Sequence, residues 1–121
     1  MTIAIFDHTC LQAAYKGHEF MTGVLVEASY GRGTVLVPAL TAVASGEGVG
    51  TYALRLRSAV VAPFTADHAE YAIQHPAVPW TVVHAAAIAH SALMSGERAA
   101  LITLDPSLYD GLGLDPLNPD A

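Results

Sequence analysis

The chain has 121 residues, 53% of them hydrophobic and 13% charged, which suits one packed domain and excludes a disordered segment. Its formal net charge is −6 with histidine neutral, and its only cations are Lys16, Arg32, Arg55, Arg57 and Arg98. That excludes a nucleic-acid binder working through a broad basic surface, and no DNA partner is expected. Along the chain, "TIAIF" (Thr2–Phe6) reads as a short buried strand followed by Asp7. "HEFMTGVLVEASYG" reads as a helix from His18 that stops at Gly31. "TVLVP" (Thr34–Pro38) is the second strand. "PALTAVASG" is a helix with Pro38 in its first turn, fading in the Gly-rich stretch Gly46–Gly50. "TYALRLRSA" resumes the helix, and "SAVVAPF" (Ser58–Phe64) is a further strand. "TADHAEYAIQH" is a helix capped by Thr65. Pro76 and Pro79 break the chain before the longest helix, "TVVHAAAIAHSALMSGE", which stops near Gly96. "AALIT" (Ala99–Thr103) is the last clear strand, and the tail "GLGLDPLNPDA" is turn-rich, with room for one short strand and loose order from about residue 111.

Strands alternating with helices predict an α/β fold around a parallel sheet, in one domain spanning 1–121. Ligand sites of such sheets lie beyond the carboxyl ends of the strands. No apolar run approaches the ~18–20 residues of a membrane span. "MTIAIFDHT" lacks the basic n-region of a secretory signal, and Cys10 is the single cysteine. A cytoplasmic protein without disulfides or a cysteine-based zinc site is therefore expected. The low charge and the abundance of Ala and Val suggest an apolar surface covered by a partner, such as another copy.

Two carboxylates, Asp7 and Asp105, follow the first and last strands. On neighbouring strands they converge, and a converging pair suits Mg²⁺ or Mn²⁺. Each is equally readable as a cap of the turn that follows it. His84 is a polar ring in an apolar helix, so it must be hydrogen-bonded, metal-bound or facing a cleft. His84 and His90 are six apart, the wrong spacing for a metal pair on one helix face. Cys10 near His8 lacks the third group and oxyanion donors of a nucleophile and reads as a small buried side chain at a helix start.

The order of these pieces resembles the PIN domain family, including the VapC-type toxins of bacterial toxin–antitoxin pairs. The resemblance runs through "IAIFDHTCLQAAYKG", "GTVLVPALTAVASG", "VVAPFTADHAEYA" and "VVHAAAIAHSALMSGERAALITLDPSLYDGL". It implies a three-layer α/β/α fold with a central parallel sheet of four to five strands, and metal-dependent RNA cleavage by clustered acids. It carries metal-ligand roles onto Asp7 and Asp105, and substrate-binding roles onto Thr9 and Thr103. The family's second acid falls on Ala44, with Glu47 three residues further on, and its third falls on His84. With two of four acids replaced, affinity for Mg²⁺ or Mn²⁺ should be weak or absent, and cleavage weak or lost. The resemblance points His84 at Asp7 and Asp105, where it would bond both carboxylates and, if protonated, replace the cation's charge. The alternative is a catalytically silent module that acts by homodimerisation or by binding an antitoxin-like or paralogous partner.

Overall fold

The computed structural model describes residues 2–120. Four strands, β1 (Ile3–Phe6), β2 (Thr34–Pro38), β3 (Ala59–Ala62) and β4 (Ala99–Ile102), lie where the apolar runs placed them. They form one all-parallel sheet in the order β3-β2-β1-β4. The helices are α1 (His8–Tyr15), α2 (Glu19–Ser29), α3 (Ala39–Ala44), α4 (Glu47–Leu54), α5 (Ala66–Gln74) and α6 (Trp80–Ser95). A 3-10 turn, Pro106–Tyr109, follows β4.

Side-chain alternation along the strands feeds two cores. Ile3, Ile5, Leu36, Ala99 and Leu101 pack with α5 and α6 on one face. Ala4, Phe6, Val35, Val37, Ala100 and Ile102 pack with α1, α2, α3 and α4 on the other. The fold is thus α/β with helices on both faces of the sheet, a three-layer arrangement. α6 is apolar all round because one side meets the sheet and others meet α3 and α5, so Val82 through Ala89 are all buried. Gly96 ends it in the left-handed conformation, φ 74°, with Glu97 N–H bonding back to the Ala92 carbonyl at 3.0 Å. Among the described residues, no helix is long and apolar enough to cross a membrane.

Three local expectations need correction. Pro38 is the last residue of β2 and the N-cap of α3, not part of that helix's first turn. The chain does not fade across Gly46–Gly50. Only Ser45 and Gly46, the latter at φ 98°, separate α3 from α4, which begins at Glu47, whose charge suits a helix N-terminus. Glycine propensity is overridden by packing: a Cβ on Gly50 would sit 2.4 Å from the Ala42 carbonyl oxygen of α3. Gly50→Ala is therefore expected to cost about 2 kcal/mol despite its better helix propensity, measured by urea unfolding. The expected tail strand is reduced to one bridge. Leu117 N–H donates to the Leu101 carbonyl at 2.8 Å, and Thr103 N–H donates to the Leu117 carbonyl at 3.0 Å.

Candidate functional site at the strand ends

Phe6 of β1 pairs with Ile102 of β4, so the residues that follow, Asp7 and Thr103, leave the sheet side by side. Both are fully buried. Asp7 is the N-cap of α1, its Oδ1 accepting the Cys10 N–H at 3.1 Å. The same oxygen accepts the Thr9 hydroxyl at 2.5 Å. The Thr9 oxygen in turn accepts the Leu104 N–H at 2.9 Å and lies 3.3 Å from the Thr103 hydroxyl. Thr103 accepts the Asp105 N–H at 3.0 Å. Four of the residues singled out in the sequence thus meet in one hydrogen-bonded chain, with Asp105 joining through its backbone.

Asp7 Oδ2 is closed by a residue the sequence reading did not single out. Tyr109, at the end of the 3-10 turn, donates its hydroxyl at 2.9 Å and is itself buried. Burial holds the Tyr109 phenol well above its ordinary range, and the adjacent Asp7 charge pushes it further, so it stays a donor. The only signal for it was "DPSLYD": Pro106 opens a tight turn that carries the ring back over the strand ends. Ser107 was also missed. It donates at 2.5 Å to Asp105, whose carboxylate is turned to solvent. Cys10 is buried, and its Sγ donates to the Ile102 carbonyl at 2.9 Å. Burial, then the Asp7 charge, drive its thiol up, so it is no nucleophile at neutral pH.

His84 is not part of this network. Its Nδ1 accepts the Leu40 N–H at 3.2 Å, and its Nε2 lies 3.2 Å from the Pro63 carbonyl. That pattern fixes the neutral ring protonated on Nε2. Leu40 is in the first turn of α3, whose N-cap Pro38 supplies no side-chain bond, so His84 caps α3 from another helix. The ring packs edge-on to Phe64 at 5.1 Å between centroids and lies 4.7 Å from the ring of His68. The expected hydrogen bonds to Asp7 and Asp105 are therefore corrected: both ring nitrogens are spent on backbone, one on the first turn of α3 and one on Pro63 just after β3. Burial first, then the neighbouring His68, pull its pKa down to about 4, so it carries no charge at neutral pH.

These donors do not fit a divalent cation. Mg²⁺ and Mn²⁺ need carboxylate oxygens open to the ion and its waters. Both Asp7 oxygens already accept hydrogen bonds inside the protein, and Asp105 faces outward. Among the described residues, no three His, Cys, Asp or Glu side chains come together in a metal-binding group. A concavity of about 460 Å³ is lined by Thr9, Gln12, Lys16, His18 and Leu104, and neither aspartate lines it. No family model matches the chain, and no curated protein matches it.

Proposed function

We propose that this chain is a PIN-like domain, related to the VapC-type toxin ribonucleases, that has lost metal-dependent RNA cleavage and works as a binding module. The order of its elements and the convergence of Asp7, Thr9, Thr103 and the Asp105 backbone favour the kinship. One observation carries the loss of activity: a buried Tyr109 hydroxyl occupies the Asp7 oxygen that a cation would need. The second observation in its favour is His84, which stands where the family's motif has an acid and serves as a neutral cap of α3. Without a cation, the −6 net charge gives an RNA phosphate little to hold on to. The natural partners of such a module are proteins, either an antitoxin-like or paralogous chain or a second copy. The cytoplasm is the compartment that suits its lone, buried thiol.

The test is cleavage of a mixed-sequence RNA in Mg²⁺ and in Mn²⁺, comparing the native chain with Asp7→Asn. No divalent-dependent cleavage is expected from either protein. Cleavage by the native chain that Asp7→Asn abolishes would sink this reading and restore the ribonuclease.

A further inference from the structure

The face of the sheet that carries α1 to α4 has a hollow floor under α2. In one row across three strands, Ala100 of β4 pairs with Ala4 of β1, and Ala4 pairs with Val35 of β2. Two positions further on, the same strands turn Ile102, Phe6 and Val37 to that face, and these larger side chains close the hollow at that end. The crossover to β4 runs through α5 and α6 on the opposite face, so no helix of that connection covers the small row. Among the described residues, α2 is the one helix that lines the gap. Its Met21 and Leu25 are buried in the core, whereas Phe20, Gly23, Val24 and Glu27, three or four residues apart, line the gap. A Cβ on Gly23 would meet nothing outside its own stretch of helix within 4 Å. These small side chains leave an apolar cavity of about 510 Å³, the size of a small-molecule site.

The cavity runs on into a second, more polar one of about 510 Å³, and Ala28, Gly33 and Thr34 line both. Arg57 and Ser58 stand in the second. Arg32, at the first, is spent on an ion pair with Glu27. Arg57 makes no ion pair among the described residues, so it is a cation without a counter-charge beside an unfilled apolar chamber. We propose that this groove binds a small amphipathic carboxylate, with its acyl chain in the cavity under α2 and its head group on Arg57 and Ser58. An apolar chamber that ends at a cation is complementary to an apolar tail that ends in an anion. A neutral chain would gain nothing from Arg57, and a compact anion would leave the chamber empty. The groove opens at Thr2, Thr34 and Ser58, the amino ends of β1, β2 and β3, whereas Asp7 follows the carboxyl end of β1. Binding there uses neither Asp7 nor His84, so it stands or falls independently of any RNA chemistry.

Isothermal titration calorimetry of the full chain with decanoate, below its micelle concentration, tests it. Decanoate should bind saturably and one to one, and both decanol and acetate should bind roughly tenfold or more weakly. Gly23→Leu puts a side chain into the cavity and should abolish decanoate binding, while the better helix propensity of leucine keeps the fold. Arg57→Gln should weaken decanoate roughly tenfold and leave decanol unchanged. Because Arg57 is exposed, its variant reads out even where a leucine at position 23 perturbs folding. A native chain that shows no saturable decanoate binding overturns the proposal. So does decanoate binding unmoved by Gly23→Leu, or an Arg57→Gln variant that loses decanoate and decanol equally or loses neither.

Discussion

Asp7→Ala is expected to lower the unfolding free energy by roughly 3 kcal/mol. The loss of the α1 N-cap contributes about 1 kcal/mol. The hydroxyls of Thr9 and Tyr109 lose their acceptor in a buried setting, which contributes roughly 1–3 kcal/mol more. Asp7→Asn keeps an acceptor for the cap and should cost less, about 1 kcal/mol. Urea unfolding of the two variants measures both values. The sign of the effect is informative. In a cluster of acids held ready for a cation, like charges repel, and neutralising one stabilises the metal-free protein. Here Asp7 is wrapped in donors, so neutralising it should destabilise. A rise in stability on Asp7→Asn would mean that the carboxylate is a strained functional group rather than a structural anchor. Tyr109→Phe should reproduce part of the Asp7→Ala loss, and the two together should cost less than their sum, because they remove one shared interaction.

The second large effect lies at His84. Its folded-state pKa is about 4, against 6.5 for an unperturbed histidine. Above pH 6.5 the ring is neutral in both the folded and the unfolded chain, and its full contribution to stability is present. Between pH 6.5 and 4 the unfolded chain takes up the proton that the folded chain refuses, so stability falls. Across that window the loss is roughly 3 kcal/mol. Protonation would also remove the acceptor that caps α3 at Leu40, so the charged ring cannot be accommodated without freeing that helix end. His84→Gln keeps a donor and an acceptor but does not titrate. Its unfolding free energy should therefore fall much less than that of the native chain between pH 7 and pH 4.5. Parallel pH profiles of the two proteins would assign the loss to other groups.

The strands could be read from the sequence because each is a short apolar run flanked by breakers or polar residues, and β2 was placed to the residue. Asp7, Thr9, Thr103 and the Asp105 backbone meet because residues just past neighbouring parallel strands lie close together, while the Asp105 carboxylate turns to Ser107 and solvent. What the sequence hid is the direction of polar side chains. His84 was placed on the right helix, but its partners are two backbone groups, Leu40 N–H and Pro63 C=O, which leave no trace in residue type. Tyr109 was equally silent, because a tyrosine two residues before a glycine looks like any turn aromatic until the 3-10 turn folds it back onto Asp7. Helix α4 was placed too late because its glycines argue against a helix, and the close approach to Ala42 that requires one of them, Gly50, is a tertiary contact.

The pairing of Ile3 with Ala99 has a consequence for how the protein is made. β1 lies inside the sheet, yet one of its two neighbours is the last strand to be synthesised. A nascent chain can dock β1 against β2 early, but its other edge stays open until β4 leaves the ribosome. The bond from Tyr109 to Asp7, which spans 102 positions, closes later still. Contacts of such separation slow folding and prolong exposure of an unpaired edge. During synthesis, that edge of β1 is the surface open to mispairing.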